Sequence, residues 1–162
     1  MNDFLEYMKL DPYFRKFNHN KMTFSMSYAY SERYVLVLSH DEVVHLKCSM
    51  IEKMPGELPD KFRNLKAAYS FMNCHPGKKL LFMGQEFGQL REWSEERELD
   101  WFLLGEEKHR DLKDFVQTLL KMYRKYPALY GTDTDPSGFE WINADDGDRS
   151  IYSFVRKSPT KR

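Results

Sequence analysis

RYVLVLSHDEVVH, Arg33–His45, carries five consecutive apolar residues, Tyr34–Leu38, directly into three adjacent ionisable ones, His40, Asp41 and Glu42. A continuous β-branched run without polar alternation fits a strand covered on both faces, as in a parallel sheet. The run ends at Ser39, so the ionisable groups fall at the C-terminal end of that strand. An open α/β sheet or a β/α barrel binds its ligand at that end.

Downstream, Phe62, Leu65, Tyr69 and Met72 recur at three- and four-residue intervals between Pro59-Asp60 and Pro76-Gly77, which predicts an amphipathic helix over 61–74. KLLFMG, Lys79–Gly84, is a second short apolar run. Leu112, Phe115, Val116, Leu119, Met122 and Tyr123 share one face of a further helix that Pro127 stops. Strand, helix, strand, helix is the order of a right-handed parallel crossover, and it predicts an α/β sheet. About four residues lead into the second strand, whereas about twenty follow each strand's C-terminal end, where loops carry function.

Residues 2–8 and roughly 20–31 read as helix, with Asn2 or Asp3 and Asn20 as caps. FEWI and SIYSFV flank NADDGD, whose Asp146-Gly147 pair is a hairpin turn signal, so residues after Pro127 open an all-β unit. Two parallel strands leave edges and apolar faces uncovered, and the chain therefore reads as part of a larger domain.

The 25 Lys and Arg balance the 25 Asp and Glu, which removes the long-range field that draws proteins to nucleic acid or anionic membranes. No apolar run approaches the roughly 20 residues of a membrane span, and the N-terminus lacks a signal-peptide pattern. Cys48 and Cys74 form no metal or redox spacing and read as reduced thiols, so a cytoplasmic setting is expected. Aromatic residues make up 15%, and flat aromatic faces suit neutral sugar rings.

Three readings of His40, Asp41 and Glu42 follow from the residues alone: a polar strand cap, a ligand site at the strand end, and a metal site. The metal reading is the weaker, because neighbours in an extended chain point opposite ways. A Ser-His-Asp relay through Ser39 is discarded, since consecutive residues cannot form it.

LSHDEVVH, KMPG, KFRNLKA, HPGKKLLFMGQEFGQ, EW, LDWFLL and YRKYPALY occur in that order. Together they resemble the C-terminal part of the catalytic barrel of bacterial-type 1,4-α-glucan (glycogen) branching enzymes, within the α-amylase superfamily. The resemblance implies an α/β fold, the C-terminal segment of a (β/α)8 TIM barrel over residues 1–130, followed over 131–162 by the first hairpin of an all-β domain.

It also implies roles. Asp41 matches a carboxylate that stabilises the charged transition state of glycoside cleavage, and His40 a donor to a hydroxyl of the same sugar. Glu42, Gln85, Glu86 and Trp93 are implied as substrate-binding. Trp101, Tyr123, Tyr126 and Tyr130 are read as packing, and Met22, Met26, Met72 and Met122 as core filler. The nucleophile and acid/base carboxylates belong in this family to earlier strands, so the chain alone is expected to be inactive. No metal or organic cofactor is implied, and the partner is a long α-glucan, glycogen or amylose. The missing barrel part or self-association would cover the open edges.

Two departures stand out: Leu46-Lys47-Cys48-Ser49 replaces a stretch that begins with glycine in the family, and Val37 replaces a common proline. Losing that glycine predicts a restricted backbone beside the site. Competing readings are a hydrolytic amylase-superfamily member and a noncatalytic glucan-binding or interaction protein on the same scaffold.

Overall fold

The apolar run of Arg33–His45 becomes strand β1, Val35–Leu38, and the second run becomes β2, Lys78–Leu81. A computed structural model describes residues 1–159. The strands pair in parallel with Leu38 opposite Leu81, and helix α4, Leu58–Cys74, makes the crossover. This helix starts before the expected Lys61 because Pro59 sits in the first turn, where its missing N–H costs nothing. It ends as His75 turns extended ahead of Pro76-Gly77. Its buried face, with Phe62, Leu65, Ala68, Tyr69 and Met72, meets α5, Glu107–Lys125, through Leu112 and Val116. Met122, expected as core filler, is instead exposed, because it lies in the last turns of α5 beyond the reach of α4.

Coverage of β1 is less complete than its sequence asks for. Leu38 is 1% exposed, but Val35 at the other end is 48% exposed, and Leu80 of β2 is 37% exposed. Within the described residues, nothing pairs with the outer edges of this two-stranded sheet.

The N-terminal segment packs on the same core. Helix α1, Asn2–Lys9, buries Phe4, Leu5, Tyr7 and Met8, and a single turn α2, Pro12–Arg15, is capped by the Asp11 side chain. The Arg15 guanidinium donates to the Met8 and Leu10 carbonyls and to Asn64 Oδ1, tying this segment to α4. The expected helix over 20–31 breaks into α3, Asn20–Thr23, and a 3-10 turn, Phe24–Ser27. The Thr23 and Ser27 hydroxyls return to carbonyls three residues back, a local competition that weakens a helix. The proposed side-chain caps are absent too: α1 is entered from Met1 and α3 from His19, neither with a capping bond.

Strands β3, Phe139–Asp146, and β4, Ile151–Arg156, form the expected antiparallel hairpin around a turn at 147–150. The hairpin packs directly on the helices. The Tyr152 ring stacks on His19 at 4.1 Å, meets Tyr7 and Phe71 edge-on, and its hydroxyl donates to the His19 carbonyl. No helix among the described residues is long and apolar enough to cross a membrane.

Below the strands, at their N-terminal ends, Asp133 accepts from Arg156 at 2.9 Å and from Lys78 at 3.2 Å. Arg156 also donates to the Cys74 carbonyl, and both Asp133 and Arg156 are almost fully buried. Removing one member of such a pair strands the other charge. Arg156→Ala is therefore expected to cost about 3 kcal/mol, read as a lowered urea midpoint with loss of the Tyr152 packing signal.

His75 carries a second testable constraint. Its Nδ1–H donates to the Pro76 carbonyl at 2.8 Å, which leaves Nε2 to accept from the Ser25 hydroxyl, also at 2.8 Å. That is the neutral imidazole, and burial pushes its pKa down from 6.5 to about 4. As pH falls, the unfolded chain takes up this proton near 6.5 while the folded chain resists until near 4. The contribution is thus present above 6.5 and is lost across that window, by up to about 3 kcal/mol. Urea unfolding at pH 7 and pH 4.5 should show the loss, and His75→Gln should flatten it.

Candidate active site

With Leu38 and Leu81 level, the segments that follow the two strands emerge side by side. After β1 the chain does not stay extended: His40–Glu42 forms a 3-10 turn, closed by Glu42 N–H to Ser39 O and Val43 N–H to His40 O. The expectation that His40 and Asp41 point apart fails for this reason, and His40 Nε2 lies 3.1 Å from Asp41 Oδ1. Both side chains open to solvent, at 55% and 70% exposure.

After β2, Gly84 at φ +86° and Gly88 at φ +71° bracket a 3-10 turn, Gln85–Phe87. A Cβ at Gly88 would stand 3.0 Å from Leu112 and 3.2 Å from Phe62, so glycine is needed for contact as well as for dihedral. Gln85 is buried: its Nε2 donates to the Leu38 carbonyl at 3.2 Å and its Oε1 accepts from the Phe82 N–H at 3.3 Å. It therefore ties the end of β1 to the end of β2 from beneath.

An aromatic corner stands beside the His40–Asp41 pair. Phe82 and Trp93 meet nearly perpendicular at 5.1 Å, and the His40 ring lies 5.9 Å from Phe82 and 6.5 Å from Trp93. The Trp93 N–H donates to the Val43 carbonyl, which fixes the loop after β2 against the turn after β1.

The structure thus gathers His40, Asp41 and Trp93, with Gln85 below them. Glu42, partly buried, lies close enough to Lys53 for its charge to act there. Burial, and then the charge of Lys9, lowers the Lys53 pKa, with Glu42, Cys48 and Glu92 opposing the shift. Glu86 lines a separate recess with Tyr69, Asn73, Lys79 and Leu119. Trp101 packs on buried Phe87 at 5.4 Å, as expected, while remaining half exposed. Among the described residues, no three His, Cys, Asp or Glu side chains gather as metal ligands.

Sequence reasoning missed Phe82, which sat inside an apolar run, and Glu92, which sat in a polar loop. Glu92 accepts from the N–H groups of Leu46 and Cys48, at 3.1 and 2.6 Å. The loop it holds has three non-glycine residues in the left-handed region: His45 at φ +56°, Leu46 at +64° and Cys48 at +66°. Such residues cost about 1–2 kcal/mol each relative to the right-handed form. Leu46 is 94% exposed and so recovers nothing through packing. Set against the greater freedom of an unfolded glycine, Leu46→Gly is expected to stabilise the chain by about 0.5–1 kcal/mol, measured as a raised urea midpoint.

No protein-family model matches the chain. Individual proteins do. It is 66% identical over 158 residues to the 1,4-alpha-glucan branching enzyme GlgB of Butyrivibrio fibrisolvens, an alignment covering 98% of the chain and 25% of that protein. It is 51% identical over 162 residues to the enzyme of the same name from Rhodopseudomonas palustris (strain BisA53), covering 100% of the chain and 23% of the relative. The Geobacillus stearothermophilus enzyme is 51% identical over 157 residues, 97% of the chain and 25% of the relative. The chain spans about a quarter of the length of the curated relatives it matches. Over nearly its whole length, the chain is homologous to that quarter of the 1,4-alpha-glucan branching enzymes.

Proposed function

We propose that the chain contributes one wall of the active site of an α-glucan branching enzyme, which cleaves an α-1,4-linked chain and transfers it to a 6-hydroxyl with retention. Residues 1–130 are the last strands and helices of a (β/α)8 barrel, and residues 131–162 open an all-β domain. The observation that carries this reading is the meeting of His40, Asp41, Phe82 and Trp93 at the level C-terminal ends of two parallel strands. The names of the relatives support it.

Cleavage of a glycosidic bond builds positive charge on the sugar carbon and flattens the ring. The Asp41 carboxylate accepts from ring hydroxyls and strengthens its hold as that charge grows, which lowers the barrier without lowering the ground state equally. His40, 3.1 Å away, offers an N–H next to that acceptor, so two neighbouring hydroxyls find a donor and an acceptor at hydrogen-bond spacing. Phe82 and Trp93 give the apolar sugar face a surface to lie on. A neutral polysaccharide needs no attracting field, which agrees with the balanced charge. Bond breaking itself needs a nucleophile and an acid/base carboxylate flanking the bond, and the resemblance assigns both to earlier barrel strands.

The test grafts the chain in place of the matching quarter of the Butyrivibrio fibrisolvens enzyme and follows loss of iodine-stained amylose. Asp41→Asn should lower kcat roughly 100- to 1,000-fold, while the ungrafted chain should leave amylose intact. Unchanged turnover in the Asp41→Asn graft would remove Asp41 from the mechanism.

A further inference from the structure

Three consecutive residues of the loop after β2 grip three different things. Arg91 forms a two-point ion pair with Asp100, with Nε to Oδ2 at 2.8 Å, and Asp100 is 3% exposed. Glu92 takes the Leu46 and Cys48 N–H groups, and Trp93 gives its own N–H to Val43. The loop is anchored on one side by a buried carboxylate, and on the other it holds the segment that leaves the His40–Asp41 turn.

We infer that Glu92 is a positioning residue for the His40–Asp41 site, an inference that rests on the active-site reading above. Backbone N–H groups of a tight turn that includes left-handed residues can converge on a concavity that attracts an anion. The N–H groups of Leu46 and Cys48, both left-handed, converge in this way, and each bonds one of the two Glu92 oxygens in a charge-assisted contact. A carboxylate suits this site because it brings two acceptors and no donor. Glutamine brings one acceptor and turns an NH2 group against the second N–H. Lys47, between the two gripped residues, donates to the Asp41 carbonyl at 2.7 Å. Holding Leu46 and Cys48 therefore holds the lysine that braces Asp41. Leu46, lacking glycine's freedom, makes the clamp more necessary, because its exposed side chain returns no packing for its strained dihedral.

Amide hydrogen exchange on the chain reads the clamp directly. Leu46 and Cys48 should be protected in the wild type, Glu92→Gln should release one of them, and Glu92→Ala should release both by at least about tenfold, with the β1 amides unchanged. In the graft, Glu92→Gln should lower kcat roughly 10- to 100-fold, because misplacement of a catalytic group by about 1 Å costs on that order. The KM for amylose should stay within about twofold, and Glu92→Asp should recover part of the rate by keeping both acceptors. If Glu92→Ala disturbs folding, the isosteric Glu92→Gln carries the comparison. Unprotected amides in the wild type, or an unchanged kcat after their release, would overturn the inference while loss of activity in Asp41→Asn keeps the active-site reading. A silent Asp41→Asn would overturn both.

Discussion

Parallel pairing of β1 with β2, with Leu38 opposite Leu81, is the constraint from which the rest of the molecule follows. Parallel strands need a long connection on one face, and α4 supplies it. Its buried face then requires a partner, which α5 and the N-terminal helices provide around Tyr69, Leu65 and Leu112. The same register sends both outgoing loops from one end of the sheet at one level. A slip of one residue would turn every side chain of β1 to the other face and would part Gln85 from the Leu38 carbonyl. That buried amide makes the register a property of the site as well as of the sheet.

The two ends of the strands solve opposite electrostatic problems. At the N-terminal ends, the one carboxylate of Asp133 is shared by Arg156 and Lys78, and the adjacent Lys79 ammonium donates to the His75 and Gly77 carbonyls. Burial pulls the Lys79 pKa down to about 8. Its charge is held at a desolvation cost that the carbonyls and Asp133 offset in part. At the C-terminal ends, His40 and Asp41 stay hydrated and largely exposed, with hydrogen-bonding capacity still free for a ligand. Charges used up in structure sit at one end of β2, and charges left available sit at the other.

Much of this was legible in the sequence, and the parts that were not share a cause. Continuous apolar runs located both parallel strands, three- and four-residue spacing the crossover helix and a turn signal the hairpin, because such patterns report which faces seek burial and where the chain reverses. They could not report what buries them, so β1 looked fully covered while Val35 is half exposed. The ionisable triplet is visible at the strand end, but the 3-10 turn that brings His40 onto Asp41 is closed by backbone bonds, Glu42 N–H to Ser39 O and Val43 N–H to His40 O, that no side-chain pattern reports. Glu92 left no pattern at all, since one glutamate in a polar loop resembles any other. The signal that points to it is indirect: a leucine held at φ +64°, where glycine would sit without strain, needs some other contact to stabilise its left-handed backbone.

That leucine also bears on how the site is organised. A glycine at position 46 would reach the left-handed region without strain and would leave the loop free to adopt others. Leucine is strained there, and the two bonds from Glu92 are among the contacts that offset the strain. The two loops are thus joined by a continuous set of contacts, from Asp100 and Arg91 through Glu92 to the segment holding Lys47, which donates to the Asp41 carbonyl. Trp93 follows Glu92 directly and gives its own N–H to Val43, so the aromatic corner and the turn carrying Asp41 are tied to the same loop. A stabilising carboxylate lowers the barrier only where it meets the positive charge as it develops, so a loop tied to its neighbour at two points suits a group whose bond-breaking partners would come from other strands.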